Sequence, residues 1–506
     1  MPDENSGSQY STCVGLIYIF NLIVGTGALT LPAVFSRSGW LLGVIVILIL
    51  ALISFISVTF VIEAMASANA LIKWKRIQHN KQEVNVQDSN ESLSEGIESI
   101  KETTSEDCED TPLVNQLADN LEQNELTYRY YVIDEKIELG EMASMFFSKF
   151  GIVLFYTCLI VYLYGDLSIY GAAVAKTLAD VVCTYIPENF TINDTIPDTA
   201  ACWKNSKYNR QDAYENYLTL FLVVMGSFAF FNVQKTKYLQ YLTSAMRWLA
   251  FIIMIIFAIQ KIIANGPQGN PAAVNLSGIP RLFGVCVYSF MCHHSLPALV
   301  APISNKGTLN RSLAFDYLLI AFFYLILALT GTFAFAHLDD LYTLDFGPRV
   351  PGNISNLFVK IIEYFLTLFP VFTLSTNYPI IAITLRNNLQ TLLFKQDTRY
   401  NFIIRNILVP IFVILPPYFV AKYTKDLSIL VGITGSYAGA GIQYIIPTLL
   451  VYYARRQTSE IIGLGVMNNF ASPFKSIYWL LFVFVWSIAC MILVSVNLIE
   501  IHLNPK

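Results

Sequence analysis

Charge is what this sequence lacks most. Asp, Glu, Lys and Arg make up 13% of its 506 residues, while hydrophobic residues reach 55%. Soluble domains carry about 25% charged residues, so most of this chain belongs in lipid. Cysteine is sparse as well, and eight in 506 residues cannot make a disulfide scaffold. The basic residues lie scattered at the ends of apolar runs rather than in one patch, which leaves no surface for a nucleic-acid backbone. The first ten residues contain no Lys or Arg, and no small-residue cleavage pattern follows the first apolar run. That run is therefore expected to stay as a span rather than leave as a signal peptide. The polar segments contain no nucleophile–base set, no Gly-rich nucleotide loop and no metal-ligand cluster. The sequence thus points away from an enzyme, and away from a resident metal or cofactor.

What is present is a succession of apolar runs of membrane length. Eleven are read, at 12–36, 39–64, 150–178, 215–233, 240–264, 282–303, 313–336, 354–384, 402–421, 427–452 and 475–498. The expectation is an all-α membrane protein with a short tail at 1–11, two spans in 12–64, a polar loop at 65–145, nine spans in 150–498 and a tail at 499–506. Basic residues such as Lys73, Lys75, Arg76, Lys81, Lys235, Lys237, Arg311, Arg386, Arg455 and Arg456 favour one set of loops. By the positive-inside rule this places the N-terminus and the 65–145 loop in the cytoplasm and the C-terminal tail outside. Four N-x-Ser/Thr sequons, at Asn189, Asn193, Asn275 and Asn353, fall in the loops so placed outside and are candidate glycosylation sites. Cys183 and Cys202 bracket one of those loops and form a candidate disulfide.

Residues 82–126 hold thirteen Asp or Glu against the single Lys101, a balance of −12 in a chain of net charge −4. Such a tract is expected to be an irregular, solvated tether, and is the candidate docking segment for a protein partner. Its E-D-T-P-L-V at Glu109–Val114 is a near miss to an acidic-leucine sorting signal, so both the plasma membrane and an endolysosomal membrane stay open.

Two of the runs carry the marks of interruption. The first reads F-N-L-I-V-G-T-G-A-L-T-L-P over Phe20–Pro32, with Gly25, Thr26 and Gly27 at its centre. Glycine lets the backbone leave the helix, and unwound backbone at membrane depth is tolerated only inside protein or beside a cavity. The amides of Gly25, Thr26 and Gly27 would open a half-helix whose positive dipole end suits a carboxylate. The sixth run, Arg281–Pro302, places Ser289, Phe290, Cys292, His293, His294 and Ser295 ahead of Pro297. Polar residues at that depth suggest a functional lining, and the proline weakens the preceding turn. The two runs are five spans apart, so the second half is inverted relative to the first, the arrangement of a transporter site at a repeat interface. Close packing through small residues is the competing account of the glycines, and it is the favoured account of Gly432–Pro447 in the tenth run. His293 and His294 either carry protons or hydrogen-bond the broken helix; no third ligand accompanies them for a metal. Asp166, midway along the third run, is either a protonatable coupling group or a partner for Arg247 or Lys360.

The motifs N-L-I-V-G-T-G from Asn21 and Y-S-F-M-C-H from Tyr288 resemble those of the amino acid/auxin permease family. G-T-G-A-L-T-L-P, Y-L-Y-G-D-L and G-I-Q-Y-I-I-P resemble the transmembrane protein 104 family within it. The resemblance implies a LeuT-type fold with a five-plus-five inverted repeat and one extra C-terminal helix. It implies a secondary transporter of amino acids or similar small zwitterions, working by alternating access. It also places Asn21 near a coupling ion, with Thr373, Thr376 and Asn377 supplied by the eighth run ahead of Pro379. Sodium-coupled relatives have Thr two residues before that proline, where this chain has Asn377. Coupling to Na⁺, to H⁺ or to neither stays open. The alternative function is a non-transporting amino acid sensor on the same fold, signalling through its cytoplasmic loop.

Overall fold

A long stretch without glycine or proline sets the longest element of the structure. Residues 44–95 contain neither residue, and the computed structural model carries one helix, α3, from Trp40 to Glu95. The structure describes residues 9–95, 130–185, 187, 196–230, 237–347, 357–394, 402–463 and 466–503. α3 therefore continues well past residue 64 and into the acidic tract expected to be irregular. Glu, Gln and Lys keep a helix going once its stem is anchored; high charge marks solvent exposure, which a helix tolerates. The rest of the tract, residues 96–126, lies outside the described residues.

Before α3 come α1 (Thr12–Ile23) and α2 (Thr26–Ser38). After it follow α4 (Leu139–Phe146), α5 (Lys149–Val182), α6 (Arg210–Gly226), α7 (Lys237–Asn265), α8 (Ile279–Ser289), α9 (Leu296–Val300) and α10 (Leu309–Ala334). The order ends with α11 (Leu357–Leu393), α12 (Val409–Tyr423), α13 (Leu427–Thr434), α14 (Ile446–Ile461) and α15 (Ile477–Leu503). Among the described residues nine helices are long and apolar enough to cross a membrane, and the bent pair α1–α2 makes a tenth. The sixth run, read above as a span, is divided into α8 and the five-residue α9.

Burial sorts these helices into centre and periphery. Of the apolar windows, 72% of the α13–α14 window is buried inside the protein, against 22% for α15. α5 packs chiefly on α11, α14 on α3, and α8 on both α2 and α13. The central crossing has almost no side chain in it. A Cβ on Gly284 of α8 would lie 1.9 Å from the Gly432 carbonyl oxygen, and one on Gly435 would lie 1.9 Å from the Gly284 oxygen. The Gly432–Pro447 stretch is thus a packing surface, with two π-helical segments at Gly435–Gly439 and Gly441–Ile445.

Glu63 of α3 is buried and receives the guanidinium of Arg455 from α14 at 2.8 Å on each carboxylate oxygen. The Ser472 amide adds a third bond to it at 2.9 Å. Removing one member of such a pair strands a charge away from water. Arg455→Ala should cost about 3–5 kcal/mol, read as a lower thermal midpoint in detergent. Glu63→Gln with Arg455→Ala should recover part of that loss. Cys183 and Cys202 are joined as a disulfide at the end of α5.

Candidate functional site

The bend in the first run falls where glycine permits it. α1 ends with the Val24 amide still donating to the Phe20 carbonyl at 2.8 Å, and α2 restarts after a 52° change of direction. Gly25 takes φ −127° and ψ −144°, outside the helical region. The opening amides of α2 have no partner within their own helix. The second interruption follows Ser289, where the Phe290 amide turns back to Cys286 at 3.2 Å and Met291 to Tyr288 at 3.2 Å. The chain resumes helix at Leu296, one residue before Pro297.

The two interruptions touch. A Cβ on Gly27 would lie 2.5 Å from Ser289 Oγ and 2.8 Å from Ser289 Cα. Both residues are buried, as is Thr26 beside them. Between the two breaks stands Tyr324 of α10, fully buried, whose hydroxyl lies 2.9 Å from the Ile23 carbonyl oxygen and 2.8 Å from that of Ser289. These are the last helical residues of α1 and α8. A phenol has one proton, so Tyr324 donates to one of these carbonyls at a time. Tyr324→Phe leaves both without that donor and should lower stability by about 1–3 kcal/mol, measured as a fall in the thermal midpoint.

A second side chain reaches the first break. The Arg247 guanidinium, on α7, donates to the Asn21 backbone carbonyl. The Asn21 amide oxygen, by contrast, is buried without a hydrogen-bond partner. Asp166, on α5, accepts the Tyr288 hydroxyl rather than pairing with Arg247 or Lys360. His293 lies fully buried with Nε2 2.8 Å from Ser57 Oγ of α3. The Ser57 hydroxyl proton goes to the Ser54 carbonyl at 2.9 Å, so Ser57 accepts and His293 carries its proton on Nε2. His294 Nδ1 is without a partner, and its ring packs 5.5 Å from Tyr162. Cys292 Sγ lies 3.2 Å from the Tyr317 hydroxyl, and the Phe290 ring stacks on Tyr317 with centroids 6.1 Å apart.

The ion-site residues expected from the eighth run do not meet Asn21 through a hydrogen bond. The Thr373 hydroxyl donates to the Phe369 carbonyl at 3.0 Å and Thr376 to the Thr373 carbonyl at 2.9 Å, both within α11. Asn377 lies half-buried on the same helix. Of the sequons, Asn275 is exposed and its side-chain amide donates to the Arg37 carbonyl at 2.9 Å. Asn189, Asn193 and Asn353 lie outside the described residues.

Both ends of the site are held by contacts between its own broken segments and their neighbours. At one end the residues preceding α1 strap across the segment after α9. The Tyr10 amide donates to the Pro302 carbonyl at 3.1 Å, and the Ser304 amide donates to the Tyr10 carbonyl at 3.0 Å. Burial, and then the neighbouring Tyr241 phenol, push the Tyr10 hydroxyl up to about 12, so it keeps the proton that it donates to the Leu299 carbonyl. At the other end Asp426 caps α13 through the Ile429 amide at 3.1 Å, with Arg37 of α2 at 3.9 Å and Arg281 of α8 at 3.8 Å. Burial alone would raise the Asp426 carboxyl, but the Ser428 hydroxyl, Arg281, the Ile429 amide and Arg37 hold it below its ordinary value. Nearby, Lys176 pairs with the buried Asp340, which also accepts the Leu427 amide at 2.6 Å.

Comparison with known proteins bears on the family and the fold. The family described as "Transmembrane amino acid transporter protein" matches residues 125–495. A Drosophila melanogaster protein named Transmembrane protein 104 homolog is 51% identical over 98% of both chains. The human Transmembrane protein 104 is 45% identical over 98% of this chain and 97% of its own length. The chain belongs to the transmembrane protein 104 branch of the amino acid transporter family. Among solved structures it is similar to MhsT in complex with L-phenylalanine, with a TM-score of 0.51 at 12% identity, covering 97% of this chain and 99% of that one. This likeness extends to the fold, a LeuT-type helical membrane protein. Family membership points to a transporter rather than an enzyme.

Sequence reasoning missed Tyr324 as a member of the site, and weighed Arg247 only as a partner for Asp166. It also passed over Asp316, buried on α10 with one carboxylate oxygen unpartnered. A systematic search for ionisable residues anywhere within the apolar runs would have raised Arg247 and Asp316. Nothing local marks Tyr324, because tyrosine is common in apolar runs.

Proposed function

We propose that this protein is a secondary carrier of amino acids or similar small zwitterions, working by alternating access. The observation that carries this reading is the meeting of two interrupted helices at Gly27 and Ser289, one tyrosine spanning both breaks. Membership of the amino acid transporter family supports it. In this reading the first five spans and the next five form inverted halves, opened by α1–α2 and α8–α9, with α15 added. The N-terminus and the acidic tract lie in the cytoplasm. The substrate carboxylate meets the amides of Gly25, Thr26 and Gly27, as helix N-termini favour anions. Its ammonium meets carbonyls freed around Leu22–Val24 and Tyr288–Met291, and competes there with the Tyr324 hydroxyl. Phe290, Cys292 and His293 shape the space for the side chain. Asp166 is the candidate for proton coupling. The strap at Tyr10 and the Arg37–Asp426–Arg281 cluster are the two gates, which open in turn.

The test is flux. Purified protein in proteoliposomes should accumulate or release at least one member of a panel of radiolabelled amino acids. No flux above empty liposomes for any member, with an imposed Na⁺ or proton gradient in either direction, would overturn the carrier reading. Substrate-dependent thermal stabilisation without flux would favour the sensor instead.

A further inference from the structure

We infer that the Arg247 guanidinium is a built-in monovalent cation occupying the seat that a coupling Na⁺ would take at the end of α1. The inference deepens the carrier reading and rests on it for the word coupling; the binding claim stands on geometry alone. Breaking a helix leaves its last carbonyls without intrahelical donors and concentrates the negative end of its dipole there. In transporters with discontinuous helices such carbonyls are where Na⁺ is held. Here the carbonyl of Asn21 accepts from Arg247, and that of Ile23 lies against Tyr324.

Three further observations mark the place as a cation seat rather than an ordinary helix cap. The Asn21 side-chain oxygen, one more hard ligand, is buried with no partner. No carboxylate forms an ion pair with Arg247 among the described residues, and Asp166, the one weighed for it, is engaged by Tyr288. Arg247 is half-buried, and a guanidinium partly withdrawn from water without a counter-ion is costly unless an oxygen dipole such as the Asn21 carbonyl faces it. Finally, the Thr373 and Thr376 hydroxyls, two of the three oxygen ligands expected from α11, spend their protons on carbonyls of that helix and form no hydrogen bond to Asn21. A fixed charge from α7 thus meets the electrostatic demand of the break, and the protein needs no free ion at this position.

The test needs no known substrate. Purified full-length protein is unfolded thermally in NaCl and in choline chloride at equal ionic strength, as wild type, Arg247→Lys, Arg247→Ala and Arg247→Gln. Wild type and Arg247→Lys should show the same midpoint in both salts. Arg247→Ala and Arg247→Gln should be less stable in choline chloride and regain stability with Na⁺, in a saturable, concentration-dependent way. A Na⁺-specific rise for wild type would overturn the inference, because the seat would then be free. Neutral variants indifferent to Na⁺ would overturn it too, since a purely structural cap predicts that result. Failure of both neutral variants to fold even with Na⁺ present counts as the same negative outcome. None of these readings depends on flux, so failure of the carrier reading leaves this test intact.

Discussion

Replacing Gly27 with valine should reduce flux by about a hundredfold or more, the cost of misplacing a positioned group by about 1 Å. The reason is geometric. Even the first carbon of any side chain at Gly27 would lie 2.8 Å from the Ser289 Cα, and a backbone atom at the end of α8 cannot swing aside as a side-chain tip can. The two breaks must separate, and Tyr324 can then no longer stand within hydrogen-bond distance of both Ile23 and Ser289. Gly25 supplies the contrast. A Cβ there would meet only the Ile23 oxygen, at 4.0 Å, so Gly25→Ala should retain far more flux than Gly27→Ala. Proteoliposome flux for the four proteins, with folded fraction measured by size exclusion, checks the ordering. Equal flux for Gly25→Ala and Gly27→Ala would show that the contact between breaks does not matter.

Gly284→Val should have the largest effect on folding. Its Cβ would penetrate the Gly432 carbonyl at 1.9 Å and approach Ser436 Oγ at 2.5 Å. Ordinary overpacking costs about 1–3 kcal/mol because neighbouring side chains move; here the obstacle is the backbone of α13. The helices can only part, and with them the α8 segment that ends in the second break. Gly284→Val should leave little folded, detergent-extractable protein. Gly284→Ala should be less severe but clearly below wild type, and Gly435→Ala should resemble it because that contact is the same crossing seen from the other side. Normal yield and midpoint for Gly284→Ala would mean the crossing is looser than described.

Much of this fold was legible in the chain because its causes are local. Apolar runs of membrane length stand out against a 13% charged composition, and a Gly-x-Gly at mid-run announces a break through the absent Cβ. The proline two residues into α9 did the same for the sixth run. The limits of α3 were not legible, since a run of carboxylates says that water is near and says little about helix or coil. The centre of the site was the least legible. Tyr324 lies 301 residues from Ile23, and Arg247 lies 226 from Asn21; no spacing rule connects residues so far apart. Thr373 and Thr376 were placed near an ion by family resemblance, and no sequence rule told that their hydroxyl protons go to carbonyls a turn away in α11.

α3 also joins the buried centre to the acidic tract. Through Ser57 it holds the His293 ring beside the second break, and the same unbroken helix reaches Glu95. At 1.5 Å per residue that is a rod of about 57 Å. A force applied at the far end of such a rod would act through its whole length on the Ser57–His293 contact.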